Sequence, residues 1–310
     1  MKLIESKAEY IPQEEGLEGI YKQIELAGRT AYHSLDIITP DSAKDFVDRM
    51  IKSKHGAALE HGTVYLRTDM HDFLAYSIWD KYRENPYSKS AQIQLDMRKP
   101  DEGFVCATTN YRVLQENGWL DDLQYLCSPT EFHEKRYTMR FTCSRAIANE
   151  LVRHRVFSFL QESTRYINYS KERHGGEITC IKPSWSNCIE TGNFFVRHDY
   201  KAGTYSSNFG YVGFTQAYLT SLCEAENTYF EMLNKGCTPQ QARDVLPNAT
   251  KTELIMTGFS SDWRFLMDLR LFGKTGAPHP DMVDLMQKAQ KAMQEAGIWE
   301  DIMSKPSKFD

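Results

Sequence analysis

The sequence predicts an α+β fold, and three observations carry that expectation. Many segments place apolar residues at helical spacing, and a few alternate with period two. The two kinds do not interleave in the regular order of a doubly wound sheet. No internal repeat, low-complexity tract or long charge run points to a solenoid or a tail. The chain has 310 residues, 41% hydrophobic, with 5 Trp, 17 Tyr and 16 Phe. At about 150 residues per domain, that length allows roughly two domains or one large domain with an insertion.

The first third reads helical. Leu17, Ile20, Tyr21, Ile24 and Ala27 recur at helical spacing. A second helix is expected from Thr39-Pro40, a capping residue followed by proline, with Phe46, Val47, Met50 and Ile51 on its apolar face. After Gly56 and Gly62 the pattern changes to alternation over 63–67, a strand signal. Residues 70–136 are polar and aromatic, with turn signals at Asn85-Pro86 and Lys99-Pro100-Asp101. They read as an insertion or small subdomain within a single domain spanning 1–310 rather than a linker, because their aromatic content is too high for disorder.

Residues 137–143 alternate again, and Ser144 caps a helix with Ile147, Leu151 and His154 along one face. The stretch 167–210, rich in Gly, Ser, Asn and Tyr, reads as long loops. Residues 211–234 give the clearest helix, with Phe214, Tyr218, Leu222, Ala225, Tyr229 and Met232 inward and Gly236 as its stop. Thr238 to Gln241 has capping-box spacing, and Pro247 ends that short helix. A strand is expected over 252–257, a helix from Ser261-Asp262-Trp263 to Gly273, and a polar helix after Pro280.

Composition excludes several classes. Thirty-seven Lys and Arg against 42 Asp and Glu leave a formal charge of −5, which argues against a broadly basic nucleic-acid binder. No run approaches about 18 uninterrupted apolar residues, so a membrane span is not expected. The first residues break into charge too early for a secretory signal. Seven cysteines without CxxC spacing argue against a disulfide framework and a zinc ribbon, and the expected compartment is the reducing cytoplasm. No HExxH or Cys/His spacing suggests a metal site.

The densest polar cluster is Arg153-His154-Arg155, followed by Ser163 and then Arg165-Tyr166. On a continuous helix Arg153 and Arg155 would point about 200° apart and serve different ligand groups; otherwise the helix ends there. Gln161, Ser163 and Arg165 would share one face of an extended segment and cradle a phosphate or a base edge. Arg243 lies one turn before Pro247, and Arg270 shares a helix face with Trp263 and Leu266, so it must snorkel or meet an anion. The blander alternatives are surface ion pairs for the arginines, a turn hydroxyl for Ser163 and a helix-end residue for His154. No GxSxG elbow supports a nucleophilic triad.

These motifs, taken together, resemble the flavin-dependent thymidylate synthases. Arg153-His154-Arg155, with Ser163 at its fixed distance, is similar to that family's signature. Residues 27–32 (Ala-Gly-Arg-Thr-Ala-Tyr) resemble its early helix, and 55–61 (His-Gly-Ala-Ala-Leu-Glu-His) its histidine-rich turn. Residues 243–247 and 268–270 resemble its two C-terminal arginine motifs. The resemblance covers roughly residues 20–69 and 137–290.

It implies a central, mostly antiparallel sheet flanked by helices, and methylation of dUMP to dTMP. Methylenetetrahydrofolate would give the carbon, and FAD reduced by NADPH the hydride. A homotetramer with FAD sites shared between subunits is implied as well. Carried over by motif, Arg153, His154, Arg155 and Gln161 would contact FAD, joined by His55 and Ala57 from a neighbouring chain. Glu150, Arg153, Gln161, Ser163, Arg165 and Arg243 would hold dUMP. Arg270 would sit against the uracil and stabilise charge as it develops, making it the catalytic residue.

The chain departs from the family at four positions. Leu160 stands where many members have Asn, Gln161 where many have Glu, Glu150 where Gln is frequent, and Phe265 where a polar flavin contact is usual. Asn110-Tyr111-Arg112 looks like a motif of longer members and has no assigned role. A cysteine-nucleophile thymidylate synthase is the first rival, but none of the seven cysteines lies in a motif resembling that family's active-site loop. The other rivals are a non-catalytic flavin- or nucleotide-binding regulator, which would not require Arg270, and an RNA-binding module, which predicts a basic surface.

Overall fold

A computed structural model describes residues 1–72, 75–95, 102–165, 167–171, 175–199, 202 and 204–309. Strands β1 (Lys2–Ile4) and β2 (Lys7–Ile11) lead into helix α1 (Gly16–Ala31), then α2 (Ser42–Lys52) and the single turn α3 (Gly56–Leu59). β3 (Thr63–Asp69), α4 (Ala75–Glu84), β4 (Lys89–Gln94), β5 (Gly103–Asn110) and α5 (Tyr111–Asn117) follow. The next segment is β6 (Arg136–Ser144), α6 (Arg145–Leu151) and β7 (Ser158–Gln161). Short strands β8 (Thr179–Ile181), β9 (Gly192–Asn193), β10 (Val196–Asp199) and β11 (Thr204–Ser207) precede α7 (Gly213–Asn234) and α8 (Pro239–Ala242). β12 (Lys251–Phe259), α9 (Ser260–Arg270), α10 (Pro280–Glu295) and α11 (Trp299–Met303) complete the described chain.

The architecture is α+β with antiparallel sheets. The main sheet has the order β2-β6-β12-β7, and a second has the order β3-β5-β4. A small sheet, β8-β1-β9, contains a parallel pair, β1 with β8. β12 pairs with β6 from Lys251↔Ser144 to Phe259↔Arg136, and on its other edge with β7 from Leu254↔Gln161 to Thr257↔Ser158. Alternation then sorts the side chains onto two faces. Met139, Phe141 and Cys143 of β6 and Leu254 and Met256 of β12 join Trp263, Leu266 and Met267 of α9 in one core. Met282, Leu285, Met286, Ala289 and Met293, on one stripe of α10, close it. Each fully buried side chain of this size contributes about 1.5–3 kcal/mol.

The other face of the main sheet is polar and still buried. The Thr138 and Thr257 hydroxyls meet at 2.8 Å, and His61 Nδ1 lies 2.8 Å from Thr257 Oγ1. Arg136 Nη2 donates to Ser158 Oγ at 3.1 Å. Helix α1 packs near this face and buries Glu25 and Arg29 as an ion pair at 2.7 Å, with Ser42 Oγ donating to the second Glu25 oxygen. That satisfaction is what makes a buried charge tolerable there.

Residues 70–136 share a sheet and a core with what precedes them. β5 lies between β3 and β4, and Val105, Ala107 and Leu114 cluster with Ile20, Ile24, Phe46 and Val47. No helix among the described residues is long and apolar enough to cross a membrane.

Several expectations need correction. α2 begins at Ser42, not at Thr39-Pro40, because Thr39 N donates to Ser42 Oγ and Ser42 N to Thr39 O, forming a turn ahead of the helix. α6 stops at Leu151, so His154 is not on its face. Among its described residues the stretch 167–210 holds four short strands; the partner of β8 is the remote β1, which local composition cannot reveal. Phe214, expected inward, is 67% exposed, while Leu219 and Cys223 supply the buried side of α7 with Leu222 and Tyr229. Lys99-Pro100-Asp101 lies outside the described residues.

Gly258 shows how tightly β12 and the chain before β7 are fitted. A Cβ there would sit 2.3 Å from the Phe157 ring. Gly258→Ala is expected to destabilise the protein by about 1–3 kcal/mol, the usual cost of overpacking. Phe157→Leu in the same chain should recover part of it. Thermal melting of the single and double variants checks this, and an unchanged melting temperature for Gly258→Ala would contradict the contact.

Candidate active site

α6 starts cleanly because Ser144 Oγ accepts from Ile147 N at 3.3 Å. It ends just before the arginine pair. His154 N donates to Leu151 O and Arg155 N to Arg153 O, each at 3.0 Å, so residues 152–155 form a tight turn and the helix ends there. Val156 then takes φ +86°, a left-handed conformation costly for a β-branched residue. Arg153 and Arg155 are both exposed and make no ion pair among the described residues.

Arg270 meets two other residues predicted to be functional, His154 and Glu150. Arg270 Nε donates to His154 Nε2 at 3.0 Å, and Arg270 Nη1 reaches Glu150 Oε2 at 2.9 Å. α9 supplies Arg270 from its last residue, with Trp263 and Leu266 anchoring the helix in the core. The arginine on an apolar face does meet an anion, and the anion is Glu150. Because His154 Nε2 accepts, the ring carries its proton on Nδ1 and is neutral. Burial, reinforced by the Arg270 charge, pushes its pKa down to about 4.

A second group forms where β7 ends. Gln161 Nε2 donates to Thr252 Oγ1 at 3.3 Å across the β7–β12 pair. Ser163 N donates to Ala31 O at the end of α1, and Ser163 Oγ accepts from Arg165 N at 3.4 Å. Arg243 Nη1 reaches Thr164 Oγ1 at 3.4 Å and has no carboxylate partner among the described residues. The shared face expected for Gln161, Ser163 and Arg165 does not form: the strand stops at Gln161, and Arg165 is exposed in a turn. Tyr166 lies outside the described residues. The strand separating the two groups has four residues, about 13 Å at the usual rise.

Glu162, between the predicted residues, is a functional candidate that reading alternate positions missed. It is 3% exposed, accepts from Glu253 N at 3.0 Å and pairs with Lys251 and His33. Burial pushes its carboxyl up, but His33 and Lys251 outweigh that and hold it below the usual range. An acid one place past the end of an alternating segment was the available signal; the register places it across from Glu253, within reach of Lys251.

His55 and Ala57 are exposed on the turn before β3, and His55 Nδ1 lies 3.2 Å from Tyr32 Oη. Tyr32 follows Ala31, so the turn sits beside the Ser163 group of its own chain. Phe265 stacks on Phe309 at 5.7 Å, with Lys308 over its ring, so apolar and cationic contacts replace a polar one there. Burial pushes the Cys143 and Cys180 thiols up to about 12, leaving them poor nucleophiles. Among the described residues no group of His, Cys, Asp and Glu could hold a metal.

Comparison with known proteins gives a consistent result. Residues 87–296 match the family model Thy1, thymidylate synthase complementing protein. The motifs at 27–32 and 55–61 precede that span. A flavin-dependent thymidylate synthase of Corynebacterium diphtheriae is 32% identical over 127 residues, 41% of this chain and 45% of that one. One from Synechocystis is 28% identical over 145 residues, 47% of this chain and 61% of that one. The chain thus spans less than half the length of the corynebacterial relative. The crystal structure of a UMP/dUMP methylase, PolB from Streptomyces cacaoi bound with 5-Br dUMP, aligns over 98% of this chain and 97% of its own. Its 13% identity and TM-score of 0.42 carry no argument.

The His154 contact sets a pH expectation. The unfolded histidine binds a proton near the ordinary pKa of about 6.5, the folded one only at about 4. Between those values the unfolded state holds more protons, so stability falls as pH falls. The His154 ring should titrate by NMR at about 4 with Nδ1 protonated above it. A midpoint at the ordinary value, or an Nε2–H tautomer, would remove the contact with Arg270.

Proposed function

The chain belongs to the thymidylate synthase complementing protein family, that of the flavin-dependent thymidylate synthases, and from that premise we propose that it methylates dUMP to dTMP. The carbon would come from 5,10-methylenetetrahydrofolate, and the hydride from FAD that NADPH keeps reduced. The observation that carries this reading is the set of arginines without carboxylate partners. Arg153, Arg155 and Arg243 lack them among the described residues, although acids outnumber bases 42 to 37. Guanidinium forks left open in an acidic chain suit phosphates, which both dUMP and FAD carry.

The donor set fits both ligands. Arg243, with Gln161, Ser163 and Arg165, would hold dUMP at the end of β7. Arg153, His154 and Arg155 would hold FAD, with Arg153 also near the nucleotide, and His55 and Ala57 would complete a flavin site between subunits of a homotetramer. FAD supplies the hydride when bound. Arg270 would face the uracil ring and stabilise the negative charge that develops as the base attacks the methylene carbon.

Glu150 and His154 bear on that role. They occupy Nη1 and Nε of Arg270, so Nη2 is the nitrogen without a protein partner among the described residues. Neutral His154 adds no second positive charge, and Glu150 is the counterion that fixes the guanidinium in place. Orientation set before the reaction is what makes such a donor effective. Leu160, packed against the second core, takes no part in binding on this reading.

Two measurements test the proposal. Purified protein, loaded with FAD, is expected to show an oxidised-flavin band in the visible that shifts when dUMP is added; a protein that stays colourless would sink the reading. Arg270→Ala should keep FAD and lose most dTMP formation, whereas Arg243→Ala should weaken dUMP binding by about 2–5 kcal/mol, the cost of truncating a buried charge pair. Undiminished turnover in Arg270→Ala would remove Arg270 from the catalytic role, and unchanged dUMP affinity in Arg243→Ala would remove that residue from the phosphate site.

A further inference from the structure

The motif Asn110-Tyr111-Arg112 has no part in the roles above, yet each of its residues makes a specific contact. Asn110 is 2% exposed, and its Oδ1 accepts from Val113 N at 3.1 Å, starting α5 where β5 ends. Tyr111 N donates to Gly62 O at 2.9 Å, just past the histidine-rich turn. Arg112 Nη1 donates to Glu60 Oε1 at 2.5 Å and Nε to Glu116 Oε1 at 2.8 Å. A Cβ on Gly56 would lie 2.8 Å from Arg112 Nε and 3.1 Å from Glu116 Oε1. The first turn of α5 therefore touches residues 56–62 at three points, and at Gly56 the Arg112 and Glu116 side chains close on the space a Cβ would take.

We propose that Arg112 is a positioning residue for the histidine-rich turn, holding 55–61 in the place from which His55 and Ala57 reach the flavin; the second half of this statement rests on the proposed function. The opposite end of the turn is fixed independently, because His61 is fully buried and bonded to Thr257 of the main sheet. The start of the segment is tied by His55 N donating to Met50 O at 2.9 Å and by His55 Nδ1 lying 3.2 Å from Tyr32 Oη, which leaves Gly56 to Glu60 as the part that Arg112 touches. His55 and Ala57 are exposed, and α3 has a single turn of helix, too short to hold itself. Arg112 supplies a further restraint through its planar fork, whose Nε is held by Glu116 of its own helix while Nη1 ties Glu60 of the turn, fixing an angle as well as a distance.

An ordinary surface ion pair would be the simpler account. Arg112 and Glu60 side chains are 37% and 22% exposed, and pairs of that kind add little to global stability. The two accounts differ in what a variant changes. A surface pair predicts a small loss spread over the whole molecule, whereas positioning predicts local loosening with little change in melting.

The test uses Arg112→Met, which keeps the aliphatic stem and removes the fork, with Arg112→Lys and His55→Ala beside it in the full chain. Amide hydrogen exchange over 56–61 in the unliganded protein should rise about tenfold in Arg112→Met while the melting temperature moves little. FAD affinity should fall about tenfold, and Arg112→Lys should rescue neither, since one ammonium cannot bridge two carboxylates in fixed geometry. Unchanged exchange over 56–61 overturns the proposal whatever the flavin does. Faster exchange with normal FAD affinity, where His55→Ala weakens FAD binding, overturns it as well. Where neither Arg112→Met nor His55→Ala alters FAD affinity, the flavin reading of the turn fails, and the faster exchange still supports the positioning itself.

Discussion

The double pairing of β12 is the constraint on which the rest of the molecule depends. Nine residues are bonded to β6 on one edge, and four of them to β7 on the other. A slip of one residue would turn Leu254 and Met256 toward His61 and send Thr257 into the methionine-rich core. The same strand sets the site. Thr252 meets Gln161, the backbone of Glu253 meets Glu162, and α9 leaves from Phe259 to place Arg270 beside the turn after α6. The turn of arginines and the arginine on α9 are thus indexed to one register, although more than a hundred residues separate them in sequence.

The buried polar face gives that register its specificity. An apolar strand pair would tolerate neighbouring registers at modest cost, but a buried network does not. His61, Thr257 and Thr138 form a chain of bonds that exists at one alignment only. Burial, with Arg136 nearby, pushes the His61 pKa down to about 3, so the ring stays neutral across the physiological range. Arg136 has no carboxylate partner among the described residues, and its bonds to Ser158 Oγ and to the Glu60 carbonyl are what keep the charge tolerable.

What could be read in the sequence was whatever local chemistry specifies. Ser144 caps α6, Thr238 and Gln241 form a reciprocal box at α8, and Gly236 takes φ +94° to end α7, each from residues within four places of one another. The alternation of 137–143 and the arginines of the site were equally visible. Relations between distant segments were not. β8 exists because β1 lies beside it, Glu162 is buried because Lys251 arrives on the neighbouring strand, and Glu150 becomes a counterion only when α9 delivers Arg270. Phe214 misled for a related reason: helical spacing identifies a stripe, and the side of that stripe that finds a partner is decided by packing.

Val156 has a thermodynamic consequence for any ligand of the arginine turn. A valine in left-handed conformation has few neighbouring minima to visit, and Phe157, wedged over Gly258, prevents the peptide on its far side from turning. The backbone at Val156 and Phe157 is therefore restricted once the chain has folded. An anion that engages Arg153 and Arg155 removes side-chain freedom and almost no main-chain freedom, so the entropic cost of association is confined to two flexible arms.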